Sequence, residues 1–226
     1  ADEVQTVVIA SSVPGSDLSY PWTIPDALSS TVKVRITNNA DTSVKDLSDT
    51  NFKIIGSFTL TAPNGTEQWT VNTNQNITWT RVGTIVNAKL EYSTDGGSTY
   101  PNVIIASTPA GGLVYTWTIP DTVSTTCKVK ISDASDFTVS DVSDANFAIR
   151  GGFTITQPNG SEVWIVGTSQ DITWNTVGSV PNVKLEYSTD GGTTYPNIII
   201  ASTPNAGTYG WTVPDSICAT AKVRVS

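Results

Sequence analysis

The 226 residues carry 12 Lys and Arg against 20 Asp and Glu, a net charge of −8 with no His. That balance argues against nucleic acid and anionic membrane surfaces as partners, since both recruit basic patches. No apolar run nears the roughly 20 residues that cross a bilayer, and the chain opens on Ala1 with no Met, as a processed or excised chain would.

Taken in chain order, residues 1–57 hold the back half of a unit that returns twice. Tyr20-Pro21-Trp22-Thr23-Ile24-Pro25-Asp26 recurs at Tyr115–Asp121 and Tyr209–Asp215. VKVRIT at Val32–Thr37 recurs as CKVKIS at Cys127–Ser132 and AKVRVS at Ala221–Ser226. Asp46–Asp49 and Asn51–Ile54 return at Asp141–Asp144 and Asn146–Ile149. Residues 58–152 form a complete unit, whose Phe58, Pro63-Asn64-Gly65 and Trp79 come back 95 residues later as Phe153, Pro158-Asn159-Gly160 and Trp174. Residues 153–226 reach Ser226 before any counterpart of the last strand. The expected division is therefore a C-terminal half repeat, a complete repeat and a repeat lacking its last strand, a window on a longer repeat polymer. A period of 95 residues suits an immunoglobulin-like antiparallel β-sandwich that buries its own core.

The complete unit reads as about seven strands. The runs are FTLT at 58–61, EQWTV at 67–71, NITWT at 76–80, AKLEY at 88–92, TYPNVIIA at 99–106, LVYTWTI at 113–119, CKVKIS at 127–132 and a closing NFAI at 146–149. Apolar and polar residues alternate within them, and the connections are rich in Gly, Pro, Asn and Asp, with no helical periodicity. Fold class is thus all-β, in tandem sandwiches joined by links as short as Gly151-Gly152. Such links predict a restrained rod of neighbouring repeats.

The most repeated stretch is LEYSTDGGSTYPN at Leu90–Asn102, which returns as LEYSTDGGTTYPN at Leu185–Asn197. Asp95-Gly96-Gly97 tolerates the positive φ that a tight hairpin needs. Ser93, Asp95, Gly97 and Thr99, with Ser188, Asp190, Gly192 and Thr194, resemble the Asp-box of sialidases and related propellers, with Tyr in place of the usual Trp. That resemblance implies a structural hairpin, its side chains bonding the turn backbone. Propellers would space it at 40–50 residues, so a sialidase-type enzyme ranks last. Such an enzyme also wants clustered arginines, whereas Arg35, Arg81, Arg150 and Arg224 are scattered. With no His and no nucleophile motif, no catalytic residue is assigned and the chain reads as non-enzymatic.

Seven tryptophans raise the alternative of a glycan platform. Alternation assigns Trp79, Trp117, Trp174 and Trp211 to the core, with Leu113, Tyr115 and Ile119 on the face of Trp117; Trp69 and Trp164 are left open between core and platform. No cofactor is assigned; the acidic loops Asp41–Asp49 and Asp133–Asp144 could offer oxygen ligands to Ca²⁺, though their spacing matches no EF-hand loop. Cys127 and Cys218 fall in different repeats and form no disulfide framework. Asn64, Asn76 and Asn159 fit the N-glycosylation acceptor pattern.

The run Pro158-Asn159-Gly160-Ser161-Glu162, Ile172-Thr173-Trp174, Trp211-Thr212-Val213-Pro214 and Lys222-Val223-Arg224-Val225 resembles the Kre9/Knh1-type domain of Ser/Thr-rich surface proteins. The resemblance implies an immunoglobulin- or fibronectin-III-like sandwich and a wall, surface or extracellular place, with structural rather than active motifs. The leading expectation is a non-enzymatic structural repeat of a long extracellular protein, such as a filament, stalk, adhesin shaft or surface layer. Its partners would be neighbouring repeats or other copies of itself. The alternative is a glycan-binding accessory module of a secreted hydrolase.

Overall fold

A computed structural model describes residues 7–226. The described chain is all-β, with one short 3-10 turn at Ala110–Gly112. The first copy holds β1 (Ser29–Val32), β2 (Arg35–Thr37), β3 (Lys45–Leu47) and β4 (Phe52–Ile54). β1 pairs antiparallel with β4 and β2 with β3. This copy leaves much apolar surface open: Ile24, before β1, and Ile36 in β2 are exposed, and among its described residues only Ile54 is buried.

The second copy runs through β5 (Ser57–Ala62), β6 (Gln68–Thr70), β7 (Asn74–Val82), β8 (Asn87–Ser93) and β9 (Asn102–Pro109). It continues with β10 (Val114–Thr118), β11 (Ser124–Asp133), β12 (Ser140–Val142) and β13 (Phe147–Arg150). One sheet has the order β10-β7-β5; the facing sheet has the order β6-β13-β11-β8-β9, with β12 also on β11. β13 lies between β6, which it meets in parallel, and β11, which it meets antiparallel. Along β7 the pleat sends Ile77 and Trp79 inward and Asn74, Asn76 and Thr80 out to water. Leu60, Leu90, Val129, Ile131, Phe147 and Ile149 close on them from both sheets.

The third copy repeats this scheme in β14 (Gly152–Gln157), β15 (Ser169–Val177), β16 (Asn182–Ser188), β17 (Asn197–Pro204), β18 (Thr208–Thr212) and β19 (Lys222–Val225). Its sheets are β14-β15-β18 and β17-β16-β19. Counterparts of β6, β12 and β13 are absent from its described strands. Its buried core is small, consisting of Ile172, Trp174, Val183 and Leu185, with Trp164, Trp211, Val223 and Val225 only partly covered.

Several sequence expectations need correcting. The complete copy has nine strands, against about seven expected and eight runs named for them. One is β12, in the Asp- and Ser-rich stretch that reads as loop; pairing with β11 makes it a strand, and Asp141 there accepts the Leu60 N–H at 2.7 Å, beside an irregularity in β5. β9 begins at Asn102, because Tyr100 and Pro101 are irregular and unpaired with β8. Leu113 is not on the inner face: it sits before β10 at φ 58° and is 42% exposed.

Candidate functional site

The hairpin between β8 and β9 is held from within. Ser93 Oγ accepts the N–H groups of Asp95 and Gly97 at 3.1 and 2.9 Å and donates to Asp95 Oδ1. The Asp95 carboxylate accepts Thr99 N–H at 3.0 Å and Thr99 Oγ1–H at 2.6 Å. The third copy reproduces this set in Ser188, Asp190, Gly192 and Thr194. Gly97 and Gly192 both sit at φ 89°, and a Cβ on either would lie about 3 Å from the hydroxyl of Tyr100 or Tyr195. Hydroxyl donors, Ser93 first and Thr99 next, hold the Asp95 carboxyl far below the usual carboxylate range, and Ser188 and Thr194 do the same for Asp190. An acid so fixed in its ionised form is a poor proton donor, and its lone pairs are occupied by its own turn.

Of the two tryptophans left open, Trp69 is 8% exposed, packed edge-on against Trp117 at 6.1 Å and against Phe147 at 5.0 Å. Trp79 and Trp174 are buried, their indole N–H groups bonded to the Ala110 carbonyl and to Asn205 Oδ1. Trp117 is buried too, but Trp211 is not the full core residue that alternation implies. It remains half-buried beside Trp164, 6.0 Å away.

Cys127 is buried and Cys218 exposed, both free. Asn64 is tied into the fold: its Nδ2 donates to Asp144 Oδ2 and its Oδ1 accepts Asp144 N–H, each at 2.7 Å. Asn76 is exposed in β7 and accepts the Thr116 hydroxyl; Asn159 is exposed in its loop. In the acidic loop Asp133 and Asp136 accept hydrogen bonds from Ser135 and Thr138, and Lys53 of the preceding copy reaches Asp136 at 2.7 Å. Lys53 first, then Thr138, pulls the Asp136 carboxyl down to about 2. Among the described residues no three or more carboxylate, Cys or His groups gather as a metal site would need. The matching loop Asp41–Asp49 makes the same kind of local bond, from Ser43 to Asp41.

The feature that sequence reading missed lies where copies meet. Asp26 of the first copy accepts the N–H and hydroxyl of Thr84 in the second. Asp121 of the second copy accepts the N–H and hydroxyl of Ser179 in the third, at 2.7 and 2.6 Å. Both bonds span 58 residues. Each receiving turn contains a glycine at positive φ, Gly83 or Gly178, packed against the linker glycine Gly56 or Gly151. A Cβ on Gly56 would come within 2.5 Å of the Val82 carbonyl oxygen, and one on Gly151 within 2.5 Å of Val180 Cγ2. The signal was present in the sequence: Asp closes the WT[IV]PD run at 26, 121 and 215, and Gly83-Thr84 and Gly178-Ser179 occupy equivalent places.

No protein-family model matches the chain. No curated protein is significantly similar to it. Among solved structures it is similar to "Structures of Clostridium thermocellum CbhA fibronectin(III)-like modules", at 16% identity over 69% of this chain and 78% of that one, with a TM-score of 0.27. So distant a likeness says nothing of function. No described helix is long and apolar enough to cross a membrane.

Proposed function

We infer that this chain is a non-enzymatic structural segment of a long extracellular or cell-surface protein, built of immunoglobulin-like repeats divided at 57/58 and 152/153. The observation that carries this reading is the repeated junction. A carboxylate at the end of one copy grips the backbone and hydroxyl of a glycine turn in the next, by the same bonds at both joints. A contact that propagates from copy to copy gives a restrained array, which is what a stalk, shaft or filament requires. The hairpin acids support the same reading, since their hydrogen-bonding capacity is spent on their own turns. Burial of Trp69, Trp79 and Trp117 takes those three aromatic faces out of a glycan's reach. The Kre9/Knh1-type resemblance agrees with a surface location, and glycosylation at Asn76 or Asn159 would be compatible with their exposure.

Immunogold labelling of intact source cells, with antibodies raised against residues 58–152, tests the proposal. Decoration of extended material outside the cell is expected. Label confined to the cell interior would overturn it.

A further inference from the structure

The net charge of −8 hides where the charges sit. On the larger sheet of the second copy the residues that point away from the core include Lys89 of β8, Lys128 and Lys130 of β11 and Arg150 of β13. Glu91 is the one acid at an outward position of that sheet, and Lys89 holds it at 2.6 Å. Asp95, Asp136 and Asp144 border the face from turns and loops, and each carboxylate is already engaged, by Thr99, Lys53 and Asn64. Among the described residues Lys128, Lys130 and Arg150 meet no carboxylate at ion-pair distance. The opposite sheet turns Thr59, Asn76, Thr80 and Thr116 to water and has no charged residue at an outward position.

Two contacts hold the cations in place before any ligand arrives. Lys128 Nζ donates to the Asp144 carbonyl at 3.2 Å, and Lys130 Nζ stands 5.8 Å from the centre of the Tyr100 ring. Side chains so fixed have less rotamer freedom to lose on binding. The arrangement recurs. Lys33 donates to the Asp49 carbonyl at 3.1 Å in the first copy, and Arg224 lies 4.4 Å over Tyr195 in the third. Lys33-Val34-Arg35, Lys128-Val129-Lys130 and Lys222-Val223-Arg224 thus set a pair of cations at the same place in each copy. The third copy differs in one respect. There Glu186 draws both Lys184 and Arg224 to itself, at 2.5 and 2.6 Å, so less of its positive charge is free.

We propose that this basic face of the second copy, with its counterparts, binds an acidic polysaccharide, a linear glycan whose carboxylates meet the outward cations of β11. Ammonium and guanidinium groups make charge-assisted hydrogen bonds to carboxylates. A cation pair in each successive copy lets one long glycan bind at several points, so that weak single contacts add up. A sparsely charged glycan suits a chain that is acidic overall. A nucleic acid, with a phosphate for about every 1.7 Å of duplex axis, would meet the repulsion of the whole chain. The contact with one copy stands apart from the structural reading above; only its multiplication along the array rests on that reading.

The probe is fluorescein-labelled polygalacturonate, added to the full chain at about 20 mM salt and followed by anisotropy. Saturable binding is expected, and about 200 mM salt should weaken it steeply. Neutral dextran should not compete. Lys128→Gln with Lys130→Gln should raise Kd by about tenfold. Lys222→Gln with Arg224→Gln should raise it less, because Glu186 already holds Arg224. Thr59→Glu with Thr116→Glu changes the net charge by the same amount on the opposite sheet, and should raise Kd by less than about threefold. Lys128→Arg with Lys130→Arg keeps both charges and should leave binding unchanged. Melting scans check that each variant folds. Arg150→Gln, exposed at the end of β13, should weaken binding by about threefold and serves where the double variant does not fold. No saturable binding at low salt, an equal loss from the Thr59 and Thr116 pair, or tighter binding of an oligonucleotide of matched length would overturn the proposal.

Discussion

The second and third copies share a hairpin, a junction and most of a sequence, yet the core is closed in the second and only partly covered among the described residues of the third. Val129 and Ile131 on β11 are fully buried, while the matching Val223 and Val225 on β19 are only partly covered. Trp69 stands in a paired strand, whereas Trp164 lies in a stretch with no strand pairing. Residues 153–226 reach Ser226 before any counterpart of β12 or β13; in the second copy β13 supplies two buried apolar side chains, Phe147 and Ile149, and closes the seam between β6 and β11. The hairpin turn behaves in the opposite way. Its hydrogen bonds are the same in both copies, because they are made within a few residues and need nothing from the seam.

The largest effect should come from turning the closed copy into an open one. Phe147→Ala removes a fully buried ring, and the cost should be about 3–5 kcal/mol, approaching the whole stability of a small domain. Chemical denaturation followed by tryptophan fluorescence would measure it, and a change under about 1 kcal/mol would mean that β13 is not the closing element.

Next is the contrast between equivalent tryptophans. Trp69→Ala should cost about 3–5 kcal/mol, while Trp164→Ala, already half in water, should cost roughly half as much. Equal losses in the same denaturation experiment would show the third copy to be closed in solution.

Smaller, and equal in both copies, should be the effect of the turn serines. Ser93→Ala and Ser188→Ala each leave two turn N–H groups without their acceptor, a loss of about 1–3 kcal/mol. Amide hydrogen exchange should report faster exchange at Gly97 and Gly192 to a similar degree. A large difference between the copies would make the turn dependent on the seam.

The smallest effect belongs to pH and to the first junction. The Asp136 carboxyl is lowered from 3.8 to about 2, by Lys53 first and Thr138 next. A depressed carboxylate contributes stability that is complete above its unfolded value and is lost as pH falls through its folded one. The Lys53 contact should therefore hold down to about pH 4 and loosen between there and pH 2. Following the Thr138 amide by NMR checks this; a midpoint near 4 would mean that Lys53 is not engaged.

Much of this was legible in the sequence, because the period-two alternation of β7, β8, β10 and β11 and the identity of the two hairpins both record local rules. Strand β12 was not legible, since its Ser-Asp-Val sequence is turn-like and becomes a strand only by lying on β11. Nor was the exposure of Leu113, which depends on a left-handed residue closing a 3-10 turn. The half-burial of Trp211 depends on which strands cover it, and no local pattern encodes that. The junction acids were visible as recurring letters, but their meaning required knowing which turn each one faces across 58 residues.

That junction carries the functional reading, and a distance measured across it tests the reading most directly. Ser98 and Thr193 are exposed at equivalent hairpin tips of the second and third copies. Spin labels on Ser98→Cys and Thr193→Cys, in a chain with Cys218→Ser, would report the separation by pulsed electron resonance. One narrow distance distribution is expected, and it should broaden when Asp121→Ala removes the clamp. A broad distribution in the chain that retains Asp121 would contradict a restrained array.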